Sequence, residues 1–107
     1  MSGHLSYNHI RVTTGYPLRE LSHFLTSCQL KLDSRITDFI EVRQEGEIVA
    51  CGGVDSNIIK CVAINPKYRG EGIVLRLISE LLFIITGRGQ KQVFLYTNPK
   101  NIELFLP

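Results

Sequence analysis

Neither sign of charge dominates this chain. Its formal net charge is +2 and like charges nowhere form a run. That balance argues against an extended nucleic-acid or membrane-surface partner. Cysteine is scarce and odd in number: Cys28, Cys51 and Cys61 show no Cys-x-x-Cys spacing. A disulfide framework or zinc site is therefore not expected, and a reducing cytoplasm fits. Cys51 and Cys61 lie in apolar strand patterns and read as buried small hydrophobes. The longest apolar run, Ile73 to Ile85, is interrupted by Arg76, Ser79 and Glu80 and is too short to cross a bilayer. Met1 to Asn8 is polar and lacks the apolar centre of a signal peptide. Repeats and low-complexity segments are absent. The 107 residues suit one domain that buries roughly two-thirds of its unfolded surface.

What is present centres on Cys61-Val62-Ala63-Ile64-Asn65-Pro66-Lys67-Tyr68-Arg69-Gly70-Glu71-Gly72-Ile73. A β-branched apolar run stops at Asn65-Pro66, a short basic glycine-containing loop follows, and an apolar helix pattern begins at about Ile73. The first turn of a helix has unpaired N–H groups and a partial positive charge. Gly70 and Gly72 carry no side chain to hold an anion off the backbone, and Arg69 adds a fork of donors matched to phosphate oxygens. The stretch reads as a pyrophosphate cradle. It is not a P-loop, because no Gly-Lys-Ser/Thr follows. It is not a dinucleotide fingerprint, because Leu75 stands where a third glycine belongs.

Around this centre the patterns alternate. His9 to Thr13 reads as a first strand. Tyr16-Pro17 opens a helix whose Leu18, Leu21, Phe24, Leu25 and Cys28 share one face, with His23 beside it as a surface or packing residue. Asp38 to Gln44 is a strand with Ile40 and Val42 on one face and Phe39 and Glu41 on the other. It turns at Glu45-Gly46 into Glu47 to Val54, where Gly52-Gly53 marks a bulge or a close neighbour. Ile58 to Ile64 reads as a central strand, apolar except at Lys60. The helix Ile73 to Thr86 shows one narrow wet stripe of Arg76, Ser79 and Glu80, and Gly87 and Gly89 end it. Gln92 to Thr97 should lie parallel to Ile58–Ile64 through a right-handed crossover. Asn98 caps a short helix, Pro99 to Leu106. Glu41 and Asp55 are the carboxylates best placed by strand order, and both read as surface charges.

An antiparallel meander, a glycine loop with its helix, and a parallel strand resemble the GNAT acetyltransferase family. That family opens its central helix with Arg/Gln-x-x-Gly-x-Gly/Ala. Here Arg69 and Gly72 fit, and Val74 stands at the last position. The resemblance implies an α+β mixed sheet that splays between its two parallel strands, with acetyl-CoA in the gap. By that resemblance Val62, Ala63 and Ile64 offer backbone groups to the pantetheine arm. Arg69, Gly70, Glu71, Gly72, Ile73 and Val74 hold the pyrophosphate, and Asn98 sits near the reacting end. Many members place a proton-donating tyrosine on the last helix, where this chain has Phe105. The catalytic residues are left unassigned, and no metal site is expected.

A narrower resemblance is to the N-terminal domain of the citrate lyase ligases. It rests on Val49-Ala50-Cys51-Gly52-Gly53, on Asn57 through Ile64, on Arg69 to Gly72 and on Phe94-Leu95-Tyr96-Thr97. It implies a larger cytoplasmic protein that uses ATP and acetate to acetylate the prosthetic-group thiol of the citrate lyase acyl carrier subunit. That group is a dephospho-CoA derivative, so the fold could position either free acetyl-CoA or the carrier arm. No His-x-x-His adenylating motif is present, so ATP belongs to chain beyond these residues. The alternatives are a free-standing N-acetyltransferase and a non-catalytic module that docks the carrier. The family continues with two further strands, so residues 1–107 read as one GNAT-like domain of a longer ligase. A sheet edge left open would invite a dimer. Gly72→Val is expected to abolish ligand binding and leave the fold intact, and Val74→Gly to tighten binding.

Overall fold

The computed structural model describes residues 4–13, 18–70 and 72–96. Tyr16-Pro17, Glu71, Thr97, Asn98 and the expected helix Pro99–Leu106, with Phe105, lie outside the described residues. Five strands form one sheet in chain order: β1 (Leu5–Arg11), β2 (Asp38–Gln44), β3 (Glu47–Asp55), β4 (Ile58–Ile64) and β5 (Phe94–Leu95). The first four are successively antiparallel, and β5 runs parallel to β4. Helix α1 (Arg19–Ser27) lies between β1 and β2 in sequence, and α2 (Ile73–Gly87) between β4 and β5. This is the expected α+β architecture. Among the described residues no helix is long and apolar enough to cross a membrane.

The meander follows from period-two patterning. Ile40, Val42, Ala50, Val54, Ile59, Val62 and Ile64 turn to one face and pack against Ile73, Leu77, Leu81 and Ile85 of α2. Phe39, Ile48, Cys51 and Ala63 turn to the other and pack against Leu21 and Leu25 of α1, with Ile36. Glu45 and Gly46 both take positive φ, the geometry of a tight hairpin turn whose twist matches its strands.

Gly52 and Gly53 have a steric reason. A Cβ on Gly52 would lie 2.6 Å from Leu81 Cδ1, and one on Gly53 2.7 Å from Ile36 Cδ1. Helix α2 presses on one face of β3 at this point, and Ile36, in the loop that leads into β2, presses on the other. The register also shifts between Cys51 and Gly53, so the pair marks a close neighbour and a bulge together.

Three expectations change. The first strand starts at Leu5, four residues ahead of His9, because Leu5 and Tyr7 pack against the α2-side core while Ser6 and Asn8 alternate with them. The outer face of α2 is wider than a narrow polar stripe: Leu75 and Phe83 are both 77% exposed beside Arg76, Ser79 and Glu80. The ladder of β5 is confined to Phe94 and Leu95, within the expected Gln92–Thr97.

Candidate functional site

The site begins where β4 and β5 part. Phe94 N–H donates to Asn57 O and Tyr96 N–H to Ile59 O, each at 2.9 Å. Beyond Ile59, no described strand pairs with β4 on that side. On the other side β4 stays paired with β3, through Cys51↔Ala63 and Ala50↔Ile64.

A bulge decides which backbone groups face the gap. Pairing runs Gly53↔Lys60 and then Cys51↔Ala63, so β4 carries one residue more than β3 across this interval. Cys61 sits there with φ +54, a left-handed conformation rare for a side chain of its kind. Asn65 N–H donates to Val49 O at 2.8 Å, which continues the same register. Hydrogen-bonded and non-bonded pairs alternate along an antiparallel ladder. Ala63 therefore turns its polar groups to β3, and Val62 and Ile64 turn theirs to the open side. Without the extra residue the parity would reverse. All three side chains are buried, so only main-chain groups are presented there.

The strand ends in a fastened turn. Asn65 Oδ1 accepts from Lys67 N–H at 3.0 Å, and Pro66 opens a single helical turn to Tyr68. This is a capping side chain followed by a residue whose missing N–H costs nothing at that position. Gly70 and Gly72 both take left-handed φ, +84 and +76. A Cβ at either would meet nothing within 4 Å, so open space lies over this backbone. Gly72 caps α2 with no side-chain acceptor, and no acidic residue stands in the first turn. Among the described residues, no side chain caps the positive end of α2. Arg69 is exposed beside it. Ile73 is buried, and Val74 packs partly into the α2-side core. The Val74 side chain is therefore engaged inward, and glycine there would remove packing.

The two carboxylates considered from sequence are both engaged. Glu41 is only 6% exposed, not a surface charge, and its Oε1 accepts from Arg43 Nε at 3.1 Å. Arg43 also forks onto Glu20 of α1. Asp55 accepts from Lys60 Nζ at 2.7 Å, and Lys60 also bridges to Asp33 at 3.0 Å. The one polar intruder in the β4 pattern thus has two carboxylate partners. Burial pushes the Cys51, Cys61 and Cys28 thiols up, so all three stay protonated near neutrality.

Sequence patterning does not reveal the buried charge cluster at the far end of α2. Asp38 is 1% exposed. Arg88, which caps α2, donates to both its oxygens at 2.8 Å, and His9 and Thr37 each approach to 2.6 Å. Burial alone would raise the Asp38 pKa, but these donors override it and hold the carboxyl well below the usual range.

The open side of β4 and the left-handed Gly70 and Gly72 thus stand close in the chain at the head of α2, within the mixed α+β sheet of an acetyltransferase fold. The profile of the acetyltransferase (GNAT) family matches residues 6–106, and the chain belongs to that family. Among characterised relatives, it is 34% identical over 105 residues to the [Citrate [pro-3S]-lyase] ligase of Escherichia coli K12, covering 98% of this chain and 30% of the relative. It is 43% identical over 83 residues to the enzyme of the same name from Haemophilus influenzae, covering 77% of this chain and 25% of the relative. The chain thus spans under a third of either. Among solved structures, an aminoglycoside N-acetyltransferase in complex with CoA superposes with a TM-score of 0.73 at 11% identity, over 96% of this chain and 83% of that one. A ribosomal-protein-alanine N-acetyltransferase from Brucella melitensis gives 0.72 at 15% identity, over 95% and 86%. These two share the fold.

Proposed function

We propose that this domain binds acetyl-CoA, or a CoA-derived prosthetic arm, along the open side of β4. The reading includes the narrower assignment: the domain belongs to a citrate lyase ligase that acetylates the thiol of the lyase's acyl carrier subunit. The observation that carries the proposal is the coincidence of two backbone features at one end of the sheet. Val62 and Ile64 present main-chain groups to the gap, and Gly70 and Gly72, both left-handed, stand at the head of α2.

The residues fit such a ligand. An extended amide-bearing arm can pair with Val62 and Ile64 as a further strand would. Ala63, turned to β3, keeps that stretch of β4 in register. The N–H groups from Gly70 to Val74 suit the pyrophosphate, and Arg69 adds charge-assisted donors. The expected contributions of Glu71 and Asn98 belong to this proposal as well. When bound, the ligand supplies an acyl thioester. The chain's part is to hold it extended and to exclude water with the buried side chains beneath. ATP, in this reading, serves a domain of the longer ligase.

Calorimetric titration with CoA and dephospho-CoA tests the reading. Arg69→Ala should weaken binding by about 10- to 100-fold, the loss of one or two charge-assisted contacts. Heat from neither ligand, or affinity unmoved by the substitution, would overturn the site. Tighter binding of dephospho-CoA than of CoA would favour the carrier arm.

A further inference from the structure

Tyr68 stands between the turn that ends β4 and the glycine loop. Its ring packs partly against the α2-side core. Its hydroxyl donates to Gln44 Oε1 at 2.7 Å. Gln44 is the last residue of β2, and it pairs with Leu5 and Glu47. The bond therefore reaches from the end of β4 past β3 to the second strand over. Among the described residues, it is the one side-chain hydrogen bond from residues 66–70 to the sheet. The other ties are local. Tyr68 N–H bonds back to Asn65 O at 2.8 Å and Arg69 N–H to Pro66 O at 3.3 Å.

The two described glycines of the loop add no side-chain contact to hold it. Gly70 and Gly72 lose much freedom when the loop is ordered. Neither has a side chain to pack. An anion site built from backbone N–H groups works only if those groups already point at one place. Something upstream must set the direction in which Arg69 and the glycines leave the sheet.

We propose that the Tyr68–Gln44 hydrogen bond is that device, and that Tyr68 is a positioning residue for the phosphate end of the ligand. This rests on the reading of the loop as a pyrophosphate site. Tyr68 touches no phosphate itself. It fixes the outgoing chain direction one residue before Arg69 and two before Gly70.

Tyr68→Phe keeps the ring and removes only the bond. Two measurements on this variant, Gln44→Ala and the double variant decide the matter. The first is CoA affinity. Each single change should weaken it by about three- to tenfold, the range of one net hydrogen bond. The double variant should be no worse than Gln44→Ala alone. The second needs no ligand: the rate at which trypsin cuts after Lys67 and Arg69, read by mass spectrometry. Cleavage at these bonds should quicken by a similar factor, while the urea midpoint of Tyr68→Phe moves little. Unchanged cleavage overturns the anchoring. A lower midpoint with unchanged affinity reduces Tyr68 to a packing residue and overturns the positioning. If the unsubstituted chain binds neither CoA nor dephospho-CoA, the site reading falls and takes the ligand half of the inference with it. The cleavage rates then still decide whether Tyr68 holds the loop.

Discussion

Asp38 shows what one buried carboxylate does in this fold. It joins β2, the edge strand β1 through His9 and the end of α2 through Arg88. Asp38→Asn leaves these donors with a weaker acceptor. Because Arg88 and His9 are partly exposed and can return to water, the cost should sit near the lower end for a buried pair, about 3 kcal/mol. The pH dependence has a definite sign. A carboxyl held below its unfolded value stabilises the fold above about pH 4 and loses that contribution as pH falls further. The gap in urea midpoint between the unsubstituted protein and the Asp38→Asn variant should narrow as pH falls below about 4. A gap that widened between about pH 4 and 2 would contradict this linkage. At Gly52 the effect is steric. Gly52→Ala drives a methyl group into Leu81, and a destabilisation of about 1–3 kcal/mol is expected with the urea m-value unchanged.

At the scale of the element, α2 has two unlike faces. Leu77 and Leu81 are fully buried against the sheet, and Leu75 and Phe83 stand out from it. Leu77→Ala should cost about 2–5 kcal/mol, and Leu75→Lys less than about 0.5 kcal/mol. Thermal melting of the two variants separates them at once. The head of the same helix corrects an expectation. Gly72 has φ +76, so Gly72→Val strains the cap and cannot leave the fold untouched. Gly72→Asn tolerates the left-handed conformation better. The valine variant should melt several degrees below the asparagine variant, and both should bind CoA poorly. Val74→Gly, with its side chain engaged in the core, should lower stability and bring no gain in affinity.

For the whole molecule, what counts is the side of the sheet that the described residues leave unpaired. Phe94, Leu95 and Tyr96 are exposed at β5, and β4 has no described neighbour on that side past Ile59. Unpaired strand edges recruit other chains. The chain should associate with rising concentration, as a dimer through this edge. Sedimentation velocity should show the shift, and Leu95→Pro should weaken it. A single monomer peak across a hundredfold concentration range would count against edge pairing.

Which parts of this were legible in one dimension follows from the range of the forces involved. Alternation at Phe39–Val42, the Asn65-Pro66 stop and the glycines around Arg69 are local signals. They depend on propensities and caps within a few residues, and they suffice for the meander, the loop and the helix. Leu5 to Asn8 alternates too, but its polar half disguised a strand whose worth comes from pairing with β2. The bulge is marked in composition only on the facing strand, by Gly52-Gly53; the extra residue itself lies in β4 near Cys61, where nothing in the pattern shows it. Yet it sets which of Val62, Ala63 and Ile64 face the gap. Asp38 and Arg88 lie 50 residues apart, and Tyr68 and Gln44 lie 24 apart. A hydrogen bond is directional and a few ångströms long, so such pairs exist only once packing of the sheet and α2 has brought their backbones together. The chain's own pattern decides what the elements are, and their packing decides which polar groups meet.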